Sequence, residues 1–374
     1  MIARAAGVTY AAGRPPISVV IPTHEGAGEW LPACLAAVRA QAEVVPEVVV
    51  VLDGPAPTAA EAVRSILPAA RQLHLRENRG FAVAATAGIR AAKGALVALL
   101  NDDAVPDPDW LLALLDAASR HPDAGSFASR VLQASDPSLI DSAGHGLTRW
   151  CEPFAIGHGL PDGPDYAQER RVFGAPACAS AYRAELIRDC GGFDAEMEAY
   201  LEDVDLSLRA QVLGYPCLYV PAARVLHRGS ATYAWGSGDG RAERLHARNR
   251  LRMFAKSMPR TTLRAGGPAL MVSVVGDLIR RVARGEHAMP SLLGTVDGIQ
   301  GLRSAAGERG TALGARRVDD AWIGDILRDS EARLLELADG PHPSGARRAR
   351  ATLARTLGAW VDRRERSQGR PRWQ

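Results

Sequence analysis

Apolar runs and amphipathic segments alternate along the first third of the chain. Four short runs are apolar without polar alternation, which is typical of strands buried on both faces: residues 17–21, 48–52, 73–75 and 95–100. The segments that follow these strands have helical periodicity: residues 29–41, 58–67, 81–93 and 107–120. Because buried strands joined by helices form parallel sheets with both faces covered, this region predicts an α/β sheet of a nucleotide-binding type.

The middle of the chain is less regular. Residues 130–170 look rich in loops, and a helix at 184–190 ends at a pair of glycines. A helix from about residue 201 to 214 and a strand at 217–220 are predicted next, and the strand leads toward His227.

The last part of the chain predicts a helical module. Leu270, Val274 and Leu278 form one apolar helical row, and a second helix begins at Asp319. From residue 260 onward there are 20 arginines against 13 acidic residues, although the whole chain has a net charge of only +3. A basic segment beside a slightly acidic body indicates a separate module. We therefore expect three regions: a flexible lead at 1–16, an α/β domain at 17–258 and a helical basic subdomain at 259–374.

Polar clusters follow each of the four predicted strands. Because ligands of such sheets bind beyond the carboxyl ends of the strands, these clusters are the candidate site. The clusters are Pro22-Thr23-His24-Glu25, Asp53-Gly54, Asn78-Arg79-Gly80 and Asn101-Asp102-Asp103. No glycine-rich phosphate loop follows the first strand. Paired carboxylates without such a loop indicate a divalent cation that bridges a diphosphate.

Composition narrows the class of protein. The chain has 374 residues, of which 47% are hydrophobic, so it can bury a globular core. No apolar stretch approaches the roughly 20 residues of a membrane span, and no secretory signal is visible. The five cysteines form no C-x-x-C pair, which disfavours a zinc cluster or a disulfide framework. These observations predict a reduced, cytoplasmic protein. Aromatic residues make up 5% of the chain and do not alternate with basic residues, so we expect no nucleic-acid partner.

Seven short motifs occur in order between residues 17 and 258. They are Ile21-Pro-Thr-His24, Asn78-x-Gly80-Phe81, Leu99-Leu-Asn-Asp-Asp103, Gly191-Gly-Phe-Asp194, Glu202-Asp-Val-Asp-Leu206, His227-Arg-Gly-Ser230 and Ala247-Arg-Asn-Arg-Leu251. Together they resemble the family-2 inverting glycosyltransferases, in particular the rhamnosyltransferase-like branch, which share the GT-A fold. The chain departs from the family pattern at Glu25, Leu52 and Thr86, and these departures leave the nucleotide base open.

The resemblance implies roles for four acidic residues and one histidine. Asp103 and His227 would hold a divalent metal, Mg²⁺ or Mn²⁺, and Asp102 would face the ribose or a metal-bound water. Asp203 would be the catalytic base for the acceptor hydroxyl, and Glu202 would lie on the acceptor side. Each residue also has a structural interpretation. The acids could stabilise a turn or the first turn of a helix, and the histidine could be a buried ring that bonds to a carbonyl.

The resemblance also implies a nucleotide-sugar site. Its residues would be Pro22, Thr23, His24, Glu25, Asp53, Asn78, Gly80 and Asp102, and turn formation explains several of them equally well. Asp205 is expected to pair with Arg209 one helical turn later. Arg248 and Asn249 would either reach the diphosphate or belong to an exposed helix face.

The resulting expectation is a metal-dependent inverting glycosyltransferase. It would move a sugar from a UDP- or dTDP-sugar to a hydroxyl of a cell-surface or lipid-linked glycan. Tailoring of a natural product is one alternative, and a sugar-phosphate nucleotidyltransferase is another, although the latter would need a glycine-rich loop after the first strand. A catalytically inactive binding module would be expected to lack Asp103, Asp203 or His227, and all three are present.

The C-terminal helices have two interpretations. Their apolar rows predict packing on the α/β domain or a homodimer, and this interpretation is preferred because acidic residues interrupt the basic face from Asp319 onward. The alternative is peripheral contact with the inner face of a membrane. Deleting the chain after about Arg260 is expected to expose apolar surface and cause aggregation.

Overall fold

The structure is a computed structural model that describes residues 16–28, 30–229, 239–314, 316–339 and 345–367. The predicted lead at 1–16 lies outside the described residues except for Pro16. Ser230, the last residue of the predicted His227 motif, also lies outside them.

The strands and helices of the described residues confirm the predicted alternation. The strands are Ile17–Thr23 (β1), Glu47–Leu52 (β2), Arg71–His74 (β3), Leu96–Leu100 (β4), Ala104–Pro106 (β5), Ser126–Gln133 (β6), Asp136–Ser142 (β7), His145–Leu147 (β8), Pro153–Ala155 (β9), Arg170–Val172 (β10), Ala179–Arg183 (β11) and Cys217–His227 (β12). The helices are Trp30–Arg39 (α1), Pro57–Ile66 (α2), Phe81–Ala91 (α3), Trp110–Arg120 (α4), Ala184–Cys190 (α5), Glu202–Val212 (α6), Arg241–Ser257 (α7), Arg260–Arg284 (α8), Ala288–Gly307 (α9), Arg309–Leu313 (α10), Asp320–Asp339 (α11) and Gly345–Ser367 (α12).

One mixed sheet organises the first part of the chain. Its strand order is β10-β12-β6-β11-β4-β1-β2-β3, with β5 paired to β12 and β7 paired to β6. The strands β3, β2, β1 and β4 are parallel neighbours, and β11 joins β4 to β6 in antiparallel pairing. The predicted α/β sheet with flanking helices is therefore confirmed.

The buried strands form because their residues are apolar on both faces. All positions of β1 and β4 are buried, and in β2 only Glu47 is partly exposed. One face of this sheet packs on the apolar rows of α1, α2 and α4, including Leu35, Val63 and Leu114. Because β1, β2 and β4 pair in parallel, their carboxyl ends lie at one edge of the sheet.

The region predicted to be rich in loops contains further strands. Residues 130–170 hold the end of β6, all of β7, β8 and β9, and the first residue of β10. Three of these strands have only three residues, and β7 begins with the exposed sequence Asp-Pro-Ser. Strands this short carry no readable alternation, which is why the sequence pattern missed them.

The chain forms two compact units. The first takes its described residues from Met1–Gly144, Gly157–Ala210 and Tyr215–Ala234, and it contains the ten-stranded sheet. The second takes them from His145–Ile156, Gln211–Gly214 and Trp235–Gln374. The predicted boundary lay after residue 258, whereas α7 already belongs to the second unit because it packs extensively against α9.

The second unit is a bundle of helices with a small hairpin. The predicted row on α8 is helical, and Leu270 and Val274 are buried. By length and composition alone α8 is also apolar enough to cross a membrane, and 33% of its apolar window is buried. The sequence pattern indicated no such segment because glycine, serine and proline interrupt the apolar run. A single helix of this kind is weak evidence for a span, since core helices pass the same test.

Candidate functional site

Strand pairing brings Asp103 and His227 together. The turn after β4 carries Asp102 and Asp103, and the antiparallel pairing of β5 with β12 sets Ala104 opposite His227. Asp103 Oδ1 consequently lies 3.3 Å from His227 Nε2. Both residues are buried, so the two predicted metal ligands share one enclosed position.

Asp141 contacts the other side of the His227 ring. His227 Nδ1 lies 2.8 Å from Asp141 Oδ2 at the end of β7. Burial lowers the pKa of His227, but the hydrogen bonds to Asp103 and Asp141 outweigh it and raise the pKa to about 9. Burial raises the pKa of Asp141, but its bonds with His158 and His227 hold that pKa well below the ordinary value. A carboxylate on Nδ1 orients an imidazole so that Nε2 faces a ligand.

The same position fits a divalent cation. Besides the Asp103 carboxylate and His227 Nε2, it contains Asn101, whose Nδ2 lies 3.5 Å from His227 Nε2. Asn101 Oδ1 is buried without a hydrogen-bond partner. Burial, more than the neighbouring Asp103 charge, raises the pKa of Asp102 to about 7. Carboxylate and amide oxygens with one imidazole are ligands that Mn²⁺ and Mg²⁺ accept.

The cation would not be held by side chains alone. Within the part of the chain that the structure describes, no group of three or more His, Cys, Asp and Glu residues is arranged to hold a metal. A site with few protein ligands leaves coordination positions for substrate phosphates, which is usual for Mg²⁺ in phosphate chemistry.

Asp203 lies in the first turn of α6, close to this position. Its carboxylate accepts hydrogen bonds from the N–H groups of Val204, at 2.8 Å, and Ala177, at 3.0 Å. Burial raises the pKa of the adjacent Cys178 thiol, and the charges of Asp141, Asp203 and Asp103 raise it further. The carboxylates of Asp141, Asp203 and Asp103 therefore all act on the same thiol.

The segment that precedes α6 is strained. Glu198, Tyr200 and Leu201 have φ values of 61°, 66° and 65°, in the left-handed region that non-glycine residues avoid. At Glu198 the ψ of −69° and the 2.7 Å bond from Ala199 N–H to Met197 O form a strained γ-turn. Such strain persists where the surrounding structure enforces it, often at functional sites.

Two acids of α6 lie deeper than Asp203. Glu202 is buried, its Oε2 has no hydrogen-bond partner, and burial raises its pKa well above the ordinary value. Asp205 Oδ2 accepts a hydrogen bond from Arg209 Nε at 2.8 Å, and both side chains are buried. The predicted pairing of Asp205 with Arg209 is confirmed, and Asp205 is structural.

Asp53 ties the end of β2 to the loop before α3. Its carboxylate accepts the N–H groups of Arg79, at 2.8 Å, and Gly80, at 2.9 Å. Asn78 Oδ1 also accepts the Gly80 N–H, at 3.1 Å. Burial raises the pKa of Asp53, and these backbone bonds oppose the rise. Asp53, Asn78 and Gly80 thus form one rim element at the edge of the sheet.

The turn after β1 forms the neighbouring rim. Pro22 and Thr23 are the last residues of β1, and Thr23 O accepts the N–H of Asp53 at 2.8 Å. His24 Nδ1 accepts the Gly26 N–H at 2.9 Å and caps a short 3₁₀ turn. Glu25 Oε2 accepts the Thr58 N–H at 3.1 Å and so caps α2. His24 and Glu25 therefore stabilise the local backbone, His24 through the 3₁₀ turn and Glu25 through the start of α2.

Arg248 and Asn249 lie on α7 in the second unit, where Arg248 Nε donates to Asn249 Oδ1 at 3.0 Å. Asn101 was part of a predicted polar cluster but was given no role of its own, and Asp141 and Cys178 were not singled out from the sequence. Asn101 adjoins the predicted Asp pair and was within reach of motif reasoning. Asp141 was not, because its strand fell in the stretch interpreted as loops.

A mixed α/β sheet with buried carboxylates beyond its strand ends is the architecture of a GT-A transferase. In accord with this, the crystal structure of GalNAc-T7 with UDP, GalNAc and Mn²⁺ is similar in fold, with a TM-score of 0.51 and 16% identity. The similarity covers 65% of this chain and 48% of that one. Residues 18–190 match the family described as glycosyl transferase family 2. This match runs from β1 to α5.

Several transferases are similar to part of this chain. The N-acetylglucosaminyl-diphospho-decaprenol L-rhamnosyltransferase of Mycobacterium tuberculosis is 36% identical over 35% of this chain and 46% of its own length. The pre-mycofactocin glycosyltransferase of the same species is 30% identical over 41% and 31%. The glucosyl-dolichyl phosphate glucuronosyltransferase of Haloferax volcanii is 24% identical over 41% and 49%. The chain thus spans half or less of the length of these relatives.

Proposed function

We propose that the chain is a metal-dependent inverting glycosyltransferase that uses a UDP- or dTDP-sugar. The observation that carries the proposal is the contact of the buried Asp103 and His227, with Asp141 on the other side of the His227 ring. In inverting transfer an acceptor hydroxyl attacks the anomeric carbon while the nucleoside diphosphate leaves from the opposite face. That reaction needs a base for the hydroxyl and neutralisation of the leaving group.

Asp203 is the proposed base. Two backbone N–H groups bond to its carboxylate, and it lies at the positive end of the α6 dipole, so its ionised form is favoured. It accepts the proton of the acceptor hydroxyl as the new glycosidic bond forms. Glu202, buried next to it, is assigned to the acceptor side.

Asp103 and His227 are the proposed protein ligands of Mn²⁺ or Mg²⁺, and Asn101 Oδ1 is available to the same ion. Such an ion neutralises charge on a leaving diphosphate. Asp141 holds His227 so that Nε2 faces Asp103. We assign the nucleotide to the rim formed by Pro22, Thr23, His24, Glu25, Asp53, Asn78 and Gly80, with Asp102 toward the ribose.

A lipid-linked glycan is the proposed acceptor. Two relatives carry a lipid in their names, a diphospho-decaprenol and a dolichyl phosphate. The pre-mycofactocin relative supports the second candidate, tailoring of a natural product. A nucleotidyltransferase would release pyrophosphate, whereas a glycosyltransferase releases a nucleoside diphosphate, so the released product separates these classes.

The test compares Asp203→Asn with Asp103→Ala in the full chain. Asp203→Asn should bind UDP or dTDP within a few-fold of wild type, while sugar transfer falls at least ~100-fold, as expected for a positioned base. Asp103→Ala should instead lose the Mn²⁺ stimulation of nucleotide binding in calorimetry. The exposed Asp123→Asn is the matched control. Near-normal transfer by Asp203→Asn would refute the assignment of the base.

We further propose that the second unit contacts the cytoplasmic face of a membrane. The exposed apolar side chains of two adjacent helices support this: Met271, Val272, Val275, Ile279 and Val282 on α8, and Met289, Leu292, Leu293, Val296 and Ile299 on α9. Each helix contains one acid, and each acid is salt-bridged: Asp277 to Arg280 and Arg281, and Asp297 to Arg244. Exposed arginines lie near the ends of these faces, which suits anionic lipid.

Vesicle flotation tests this contact. The full chain should bind vesicles that contain phosphatidylglycerol and bind phosphatidylcholine vesicles weakly. Ile279→Ser with Val282→Ser should reduce binding at least several-fold, while Val45→Ser, an exposed apolar residue of the first unit, should not. If the double variant instead halves the particle mass in light scattering and leaves vesicle binding unchanged, the faces form a homodimer and the membrane proposal is wrong.

A further inference from the structure

The second unit contains a cavity rich in arginine. Its volume is about 340 Å³, within the range of small-ligand sites. Side chains of α7, α8, α9 and α12 line it, together with Glu152 and Pro153. None of the roles proposed above uses this cavity.

Positive charge exceeds negative charge in the described lining. Five arginines contribute to it, against three carboxylates; the arginines are Arg250, Arg280, Arg281, Arg284 and Arg350, and the acids are Glu152, Asp277 and Glu286. Each acid already contacts an arginine: Glu152 is bonded to Arg350, Asp277 to both Arg280 and Arg281, and Glu286 lies 3.7 Å from Arg284. Two positive charges are therefore left over within one enclosed space.

Arg250 shows where this excess lies. It is 7% exposed, and its hydrogen-bond acceptors are neutral: the carbonyls of Cys151 and Trp150 and the hydroxyl of Ser273. Burial, assisted by the Arg250 charge, lowers the pKa of the neighbouring His246 to about 4. The Arg250 charge also acts on the nearby Glu152, which is itself bonded to Arg350. Among the described residues no carboxylate bonds directly to Arg250, so its buried guanidinium still attracts an anion, and burial strengthens the attraction.

We propose that this cavity binds a phosphate or diphosphate group. Guanidinium groups match phosphate oxygens in paired hydrogen bonds, and the hydroxyls of Ser291 and Thr295 lie in the same lining. The described lining contains no aromatic residue apart from the His246 imidazole, so a nucleobase would have little surface on which to stack. The ligand is therefore the phosphate group itself, either free in solution or as the headgroup of a lipid.

Binding at the arginine cavity can be measured separately from binding at the catalytic site. Nucleotide binding at Asp103 and His227 is expected to require a divalent cation, whereas the arginine cavity needs none. Binding of inorganic pyrophosphate to the full chain in EDTA therefore reports on the cavity alone. A failed catalytic assignment leaves this measurement unaffected, and a failed pyrophosphate measurement leaves the Asp203 test unaffected.

The experiment is calorimetric titration of the full chain with pyrophosphate in EDTA. Arg280→Gln with Arg284→Gln should weaken binding at least 10-fold, because two guanidinium groups leave the lining. Arg264→Gln with Arg303→Gln, two exposed arginines on the same pair of helices, α8 and α9, but outside the lining, should change it less than 2-fold. Glu286→Gln should tighten binding several-fold, an effect that misfolding cannot produce.

The outcomes separate specific binding from general attraction. Equal losses in both arginine pairs, or no loss in either, would overturn the proposal, and so would a Glu286→Gln variant that binds no tighter. Farnesyl diphosphate distinguishes the two sources. Binding at least 10-fold tighter than pyrophosphate, and sensitive to the same arginines, identifies a lipid headgroup, whereas equal binding identifies a free phosphate ligand.

Discussion

The carboxylate of Asp141 decides which nitrogen of His227 faces Asp103. Because Asp141 Oδ2 lies 2.8 Å from Nδ1, the Nε2 atom is directed toward Asp103 Oδ1. We predict that Asp141→Asn weakens Mn²⁺-dependent UDP binding roughly 10- to 100-fold, the usual effect of losing such a partner. Calorimetry with and without Mn²⁺ measures this change.

Asp136→Asn is the matched control for Asp141. Asp136 lies on the same strand, β7, but it is exposed and bonds only locally to Ser138. Its removal should leave UDP binding within 2-fold of wild type. Metal-free UDP binding should be the same in both variants, and a loss there in Asp141→Asn equal to the loss with Mn²⁺ would mean that Asp141 only supports the fold.

At this scale the sequence predicted identities better than contacts. Motif order picked out Asp103, Asp203 and His227, and the structure brings Asp103 and His227 within 3.3 Å of each other. It did not reveal Asp141, because the pairing of β7 with β6 has an irregular register that no motif in the sequence marks. It also could not show that Glu25 caps α2, since that bond joins residues 33 positions apart.

At the scale of elements, the start of α3 supports the strained segment before α6. Glu198 O accepts the Ala82 N–H at 2.9 Å, and a Cβ at Gly80 would lie only 2.9 Å from the same oxygen. Gly80 also has a φ of 84°. We predict that Gly80→Ala displaces the segment that leads to Asp203 and lowers sugar transfer at least ~10-fold, because small misplacements of catalytic groups are costly.

Gly191→Ala is the control that adds backbone strain without displacing the segment before α6. Gly191 has a similar φ of 77°, but a Cβ at this position would have no neighbouring atom within 4 Å among the described residues. Gly191→Ala should lose about 1 kcal/mol from its left-handed backbone. Gly80→Ala should lose about 1–3 kcal/mol, because a φ of 84° with a ψ of 166° is a conformation that essentially only glycine adopts. Only Gly80→Ala should lose transfer activity, and a comparable loss in Gly191→Ala would contradict the proposed coupling.

Elements were predictable where one periodicity ran long enough. The helices α1 to α4 and the strands β1, β2 and β4 follow long apolar patterns and appear where expected. The strands β8, β9 and β10 have three residues each, so no pattern forms within them. Helix α7 was assigned to the first domain because its sequence does not reveal its packing against α9.

At the scale of the whole molecule, the stability of the second unit should fall as the pH drops below about 6.5. Burial, assisted by Arg250, lowers the folded pKa of His246 to about 4, against about 6.5 when unfolded. Between these values the unfolded chain binds a proton that the folded chain does not, so stability falls as the pH drops from 6.5 to 4. Glu152 extends the loss: despite burial, Arg350 and Arg250 hold its pKa at about 2, so its contribution declines below about 4.5.

Thermal unfolding at pH 7.5 and about pH 5 measures this effect. His246→Gln should reduce the drop in the unfolding midpoint between the two pH values, because the titrating group is gone. His74→Gln, an exposed residue of β3, should leave the drop unchanged. An identical pH dependence in wild type and His246→Gln would show that His246 does not control it.

The second unit is also stabilised by a buried arginine whose carboxylate partners lie far away in the sequence. Arg149 is 2% exposed, and its guanidinium bonds to Glu331 at 2.8 Å, Asp362 at 2.6 Å and Glu365 at 3.0 Å. Glu331 also accepts the Arg149 backbone N–H at 2.7 Å. The carboxylates come from α11 and α12, so the C-terminal helices neutralise a charge contributed by the short segment after β8.

Removing Glu331 takes away the acceptor of the Arg149 backbone N–H and Nε, while Asp362 and Glu365 still offset the guanidinium charge. We therefore predict that Glu331→Ala destabilises the protein by about 1–3 kcal/mol in denaturant unfolding, the usual cost of buried donors left without an acceptor. Glu336→Ala, which breaks an exposed pair with Arg333 on the same helix, should cost less than about 1 kcal/mol. Deleting the chain after Arg260 removes all three carboxylates at once and uncovers the apolar side chains beside Arg149, so the truncated protein should aggregate. Light scattering that finds it monodisperse would show that the C-terminal helices are dispensable for the fold.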